Sequence, residues 1–284
     1  MITGALLLDK EETVSELFSK RVVRIAAVIV LFTGVHYVVD VLRGQIANAS
    51  PADFLGGLAQ NTLVEQYWYL YAYLGLLILL PVLREWVKGM RPQTFTYLFV
   101  LEAVLGVLVP LGYDAAGWTF PSLLWIVPVY FYYLLMGYAL EKGKLRFLQN
   151  GNSRCLVTGG IVACVTAAAF LCIGLGTLRG YEREDLEYLT PILSILCFEG
   201  VRRFCERHPF RERTNQWIAF LGSCSFGIYL TEHLVRILLL PLYLYLTEHS
   251  VGVIACTVYV AGTYVIGLFL TWILKKLPLI GKLL

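Results

Sequence analysis

The chain has 284 residues, 58% of them hydrophobic and 15% charged, with a formal net charge of +3. Soluble domains carry about 45–50% apolar and about 25% charged residues, so a water-soluble globule is excluded. Disorder and nucleic-acid binding are excluded too, because the net charge is small and the basic residues sit in short loops. Long apolar runs point to an all-α, polytopic transmembrane helix bundle set in a lipid bilayer.

The opening stub, MITGALLL, is short and precedes an acidic stretch, unlike a signal peptide. Thr13-Val-Ser-Glu16 has the form of a capping box. It is expected to start a helix that runs through Lys20 and Arg21 into the first span. Residues 1–23 are expected to form an amphipathic lead-in along the inner interface of a single domain covering 1–284. About eight spans follow, at 24–42, 67–83, 94–113, 118–140, 155–177, 188–204, 216–240 and 251–274. Each is near the length that crosses about 30 Å of hydrocarbon. Aromatic clusters at YWYLYAY (67–73) and YFYY (130–133) suit interfacial belts. The loop 43–66 is the longest on its side, and its Asn48-Ala-Ser50 followed by Pro51 reads as turn chemistry. A second loop on that side, RGYEREDLE (179–187), is acidic.

Basic residues orient the spans. If the eight alternate, 19 of the 23 Lys and Arg fall on one side; Arg43, Arg179 and Arg183 fall on the other, and Arg236 is intramembrane. Positive residues stay cytoplasmic, so both termini are expected inside, in a multi-pass protein of the inner (plasma) membrane. Seven cysteines show no CxxC and no regular pairing, and four histidines are scattered. The cysteines read as inert core residues, the histidines are too scattered for a metal finger, and no metal or bound cofactor is expected.

The seventh span carries SFGIYLTEHLVRILLL (225–240), with Glu232, His233 and Arg236 in an apolar context. A charge at the centre of a bilayer costs about 2.5–3.5 kcal/mol on insertion scales. At about 100° per residue, Ser225, Tyr229, Glu232 and Arg236 fall within about 60° of one another. That stripe is expected to face the bundle interior as a polar cavity; a neutralising Glu232–Arg236 pair, four residues apart, is the structural alternative. His36 and Asp40 lie in the outer half of the first span, Glu102 in the third and Glu199 in the sixth. Arg21, Arg24, Arg202 and Arg203 lie at the inner surface, as topological charges or as a seat for an anion such as phosphate.

Three stretches then read together: MITGALLLDKEE with the basic pair of KRVVRI, QYWYLYAYLGLLILLPVLR (66–84) and CSFGIYLTEHLVRIL (224–238). In this order and spacing, over almost the whole chain, they resemble the acyltransferase 3 family of integral membrane acyltransferases. The resemblance implies transfer of an acetyl or similar group from cytoplasmic acyl-CoA to a hydroxyl of a sugar or cell-envelope glycan; some relatives form the membrane domain of a serine racemase. It carries the family's RxxR onto Arg21 and Arg24, its aromatic motif onto Trp68 with Tyr67 and Tyr69, and its Tyr-x-x-His/Glu onto Tyr229 and Glu232. Gln66 stands where many relatives have His, and His233 follows Glu232. The chain starts inside what resembles the second family helix, so the first family span, with its His, has no counterpart. The mechanism so implied needs a general base, for which Glu232, His233 and His36 are the candidates. Tyr229 or Arg236 would stabilise the oxyanion, and Arg21 and Arg24 would take the donor's phosphates. The competing readings are a non-enzymatic transporter or flippase and an inactive truncated relative.

Overall fold

The computed structural model describes residues 1–46, 49–116, 118, 128–149, 153–170, 189–278 and 280–284. All its regular elements among these residues are helical. A lipid-embedded segment has no water to satisfy its backbone, so it must bond its own N–H and C=O groups. Helix α1 is Ile2–Leu7, and α2 is Val14–Leu42 with a π-helical stretch at Phe18–Val22. Helix α3 is Pro51–Gln60, and α4, Trp68–Gly89, follows a 3-10 turn at Glu65–Tyr67. Helix α5 runs Pro92–Leu101, passes through a π stretch at Glu102–Leu108 and ends with Val109–Ala116. There follow α6 (Val129–Glu141), α7 (Arg146–Gln149), α8 (Ser153–Phe170), α9 (Thr190–Arg207), α10 (Glu212–His249) and α11 (Gly252–Leu274).

Among the described residues, five stretches are long and apolar enough to cross a membrane: Val14–Leu42, Glu65–Gly89, Pro92–Tyr113, Glu212–His249 and Gly252–Leu274. The protein is a polytopic helical membrane protein. The described parts of the spans expected at 118–140, 155–177 and 188–204 are helical as α6, α8 and α9, which fall short in length or apolarity over those residues. Two expectations need correcting. The loop 43–66 contains a ten-residue helix, α3, because Ser50 and Pro51 start a helix: Ser50 Oγ accepts from the Asp53 N–H at 3.1 Å, and Pro51 occupies the first turn. The seventh helix does not end near residue 240; it continues through Pro241 to His249, 38 residues in all. The acidic segment 179–187 and Asn48 lie outside the described residues.

The chain divides into two compact units. The first comprises Met1–Val14 and Ile78–Pro209. Phe95, Tyr132, Leu135, Met136 and Leu140 are fully buried there. Helix α1 lies along α6, where a Cβ on Gly137 would sit 2.0 Å from the Met1 carbonyl oxygen; only glycine admits the backbone so close. Leu7 and Leu8 are buried by this packing, while Ile2 and Leu6, one turn apart, stay exposed. Arg84 is buried as well. Its Nε donates to the Leu7 carbonyl at 3.0 Å, and its terminal nitrogens donate to the Glu12 carbonyl at 3.3 Å and the Glu12 carboxylate at 3.1 Å. Glu199, wholly buried, accepts from Arg202 Nε at 2.9 Å and Arg203 Nε at 2.6 Å. The cluster of Glu199, Arg202 and Arg203 thus offsets the cost of burying one carboxylate. Glu102, also buried, sits in the π stretch of α5 within electrostatic range of Tyr132.

The second unit comprises Ser15–Leu77 and Phe210–Leu284. Helices α10 and α11 pack antiparallel along most of their length. Tyr243 meets Tyr259 at one end, with ring centroids 4.8 Å apart, and Lys275 Nζ donates to the Ser223 carbonyl at 2.6 Å at the other. Between these ends a Cβ on Gly227 would lie 2.3 Å from Thr271 Cγ2. Close approach through small residues is how helices associate in lipid, where apolar side chains gain little from one another. Helix α3 is tied to its neighbours by two tyrosines. The Tyr37 hydroxyl accepts from the Ser50 N–H at 3.0 Å, and the Tyr71 hydroxyl donates to the Leu58 carbonyl at 2.6 Å.

Candidate functional site

All the site residues expected from sequence belong to the second unit. Two tyrosines join the Glu65–Tyr67 turn to α10 in opposite directions. The Tyr67 hydroxyl donates to the Leu230 carbonyl at 2.7 Å, and the Tyr229 hydroxyl donates to the Gln66 carbonyl. Tyr67 is fully buried, and its ring lies 6.0 Å from that of Tyr229. Tyr69 adds an edge-on contact to Tyr229 at 6.1 Å, while Trp68 is 49% exposed. The aromatic motif therefore splits: Tyr67 and Tyr69 hold Tyr229, and Trp68 points elsewhere.

His36 on α2 closes the cluster. It is 1% exposed, with Nε2 3.0 Å from the Tyr67 hydroxyl and 3.5 Å from the Leu230 carbonyl. The His233 ring lies 5.3 Å from the His36 ring and is half-buried. His233 also falls within electrostatic range of Asp40, Arg43, Glu232 and Arg236. Residues from α2, the Glu65–Tyr67 turn and α10 thus meet at one level.

Glu232 and Arg236 lie next to this cluster on α10 and face α11. Their charged groups are 3.6 Å apart, with side chains 42% and 52% exposed. With Ile228, Tyr259, Val260, Thr263 and Tyr264 they line an open groove of about 350 Å³. The Tyr259 hydroxyl donates to the Arg236 carbonyl at 3.1 Å. Glu232 is near the middle of a 38-residue helix. A half-open ion pair at that depth is tenable where water or a polar ligand fills the groove, because contact with hydrocarbon would leave both charges unsolvated.

The expected orientation of the α10 stripe is corrected here. The buried face of α10 is formed by Cys224, Gly227, Ile228, Leu230, Thr231 and Val235, whereas Ser225 and Arg236 are exposed and Tyr229 and Glu232 only half-buried. Packing follows the small and β-branched residues that fit α11, and the polar stripe is left on the flank. The contribution of α11 itself was not anticipated. Its signal was Tyr259 and Thr263, four apart in an otherwise apolar span. The Gln66 and Leu230 carbonyls were also missed, since a backbone acceptor has no sequence signature.

Arg21 and Arg24 are half-buried near the start of α2, and Arg24 Nε donates to the Leu283 carbonyl at 2.9 Å. Twelve residues separate Arg24 from His36, about 18 Å of helix. The basic motif and the histidine–tyrosine cluster therefore sit toward opposite ends of one helix. Among the described residues no group of three His, Cys, Asp or Glu side chains gathers in a way that could hold a metal ion. Cys164, Cys197, Cys205, Cys224 and Cys256 are free thiols.

No curated protein and no solved structure matches the chain. The family model of the acyltransferase 3 family, described as an acyltransferase domain, matches residues 1–275. That span is nearly the whole chain, and the chain belongs to the acyltransferase 3 family of membrane acyltransferases.

Proposed function

We propose that the protein moves an acyl group, acetyl in the first instance, from cytoplasmic acyl-CoA to a hydroxyl of a sugar or cell-envelope glycan, in the inner (plasma) membrane. The observation that carries this reading is the meeting of His36, Tyr67, Tyr229 and His233 beside a half-open groove lined by Glu232 and Arg236. His233 is the general base. It is half-buried and beside the groove, whereas His36 is fully enclosed. Glu232 accepts hydrogen bonds from the acceptor's hydroxyls. The acceptor O–H gives its proton to His233 as its oxygen bonds to the thioester carbon. Arg236 faces the negative charge that develops on the carbonyl oxygen. The C–S bond then breaks, and the thiolate of CoA leaves and takes up the proton.

Tyr229 is a positioning residue in this scheme, because its hydroxyl proton is committed to the Gln66 carbonyl. Arg21 and Arg24 take the donor's phosphates, with the terminal nitrogens of Arg24 left for a bidentate contact.

The test is turnover by the purified protein in lipid. With acetyl-CoA and a panel of glycan acceptors, free CoA thiol should appear in step with an ester on the acceptor. Absence of both products across the panel would overturn the reading. Flux of a polar solute without loss of acyl-CoA would support a transporter instead.

A further inference from the structure

The hydroxyl of Tyr67 has one proton and two neighbours that can receive it, the Leu230 carbonyl at 2.7 Å and His36 Nε2 at 3.0 Å. The shorter contact takes the proton. His36 Nε2 must then act as donor toward the Tyr67 oxygen, since two facing lone pairs would repel. The nearby Leu230 carbonyl, 3.5 Å from the same nitrogen, favours the same choice because a carbonyl only accepts. Nδ1 is left as the basic nitrogen, and it makes no hydrogen bond among the described residues. The ring centroids of His36 and His233 are 5.3 Å apart, a spacing at which one water can bridge two imidazoles.

We infer that His36 and His233 form a single proton-sharing pair, with Tyr67 as the positioning residue that fixes His36 as its Nε2–H tautomer. Two imidazolium groups at this spacing would repel, so the pair holds a second proton less easily than a first. The groups facing the pair are Asp40 and Arg43 at the end of α2, Tyr67 from the turn, and Glu232 and Arg236 on α10. Within the proposed acyl transfer, a proton taken by His233 is delocalised onto His36 and returned to the departing thiolate. This use rests on that reading; the pairing and the tautomer do not.

The deciding experiment is nitrogen NMR on the full chain in lipid nanodiscs, with ¹⁵N-labelled histidine. Wild-type protein should show His36 protonated at Nε2 and not at Nδ1 when neutral. In His233→Gln the titration of His36 should collapse to one simple step, shifted from its wild-type midpoint. Tyr67→Phe should give a mixture of His36 tautomers. If the enzyme turns over, Tyr67→Phe should also lower kcat about tenfold and move its pH profile, with the acceptor KM unchanged. An Nδ1–H tautomer in the wild type, or a His36 titration indifferent to His233→Gln, would overturn the inference. The wild-type spectrum needs no variant, so poor folding of Tyr67→Phe leaves the test intact. Absence of turnover beside the expected tautomer and coupled titration would remove the acyl-transfer reading and leave the pair standing.

Discussion

Glu232→Gln separates a wet site from a dry structural ion pair. Glu232 and Arg236 are 3.6 Å apart and about half exposed. In a water-like medium two unit charges at that distance attract by about 1 kcal/mol, and at an effective dielectric of 20 by about 5 kcal/mol. After the costs of desolvation and side-chain ordering, a solvated i,i+4 pair nets about 0.3–0.5 kcal/mol. A dry pair broken on one side costs about 3–5 kcal/mol, because the remaining charge is left uncompensated. For a chain of this size the two cases correspond to melting shifts of about 1 °C and about 6–20 °C. The exposure of both side chains and the groove beside them predict the smaller shift. In the proposed role of acceptor for substrate hydroxyls, Glu232 would contribute a hydrogen bond of about 1.5–3 kcal/mol. Its loss should raise the acceptor KM by about 10- to 100-fold with little change in kcat. Arg236→Met added to Glu232→Gln should not restore the KM. The measurements are melting temperature and steady-state turnover on the single and double variants in the same lipid. A large loss of stability in Glu232→Gln that the double variant recovers, together with full turnover, would refute the reasoning.

Arg24→Lys loses the planar fork that suits phosphate and should weaken acyl-CoA binding about tenfold in a direct binding assay; its melting temperature is read alongside, because Arg24 also holds the Leu283 carbonyl. Gly227→Ala should lower stability by about 1–3 kcal/mol, since its Cβ would meet Thr271 Cγ2 at 2.3 Å and Oγ1 at 2.7 Å; adding Thr271→Ala, which removes both atoms, should recover much of the loss in the same melting assay. Single cysteines in a cysteine-free background should be shielded from an impermeant thiol reagent in intact cells at 84–93 and 202–215, the basic loops expected in the cytoplasm; labelling at 202–215 from outside would reverse the proposed orientation.

The helical membrane architecture was legible because lipid imposes it: apolar runs of span length have one way to satisfy their backbone. Element ends were less so. Ser50-Pro51 looked like a turn because the same chemistry opens turns and helices. The extension of α10 past Pro241 was not legible, because residues 216–240 already have the length to cross the bilayer. Within the site, Tyr229, Glu232, His233 and Arg236 stood out as polar residues in an apolar span. Their facing did not follow from polarity, because Gly227, Thr231 and Thr271 decide which side of α10 meets α11. The link from His36 to Tyr67 lay beyond sequence reasoning. The two side chains bond to each other directly, and both also face the Leu230 carbonyl, 194 and 163 residues away in the chain.

Those separations also set a timetable for assembly. Synthesis proceeds at about 5–20 residues per second, so Tyr67 leaves the ribosome on the order of 10–30 s before Leu230 exists to accept its proton. During that interval the His36 imidazole and the Tyr67 hydroxyl have only each other, and the carbonyl that finally takes the hydroxyl proton does not yet exist. The last two helices therefore complete the second unit and also end this waiting period. A premature stop before residue 230 would leave the Tyr67 and His36 pair without its third partner and the second unit without its closing helices.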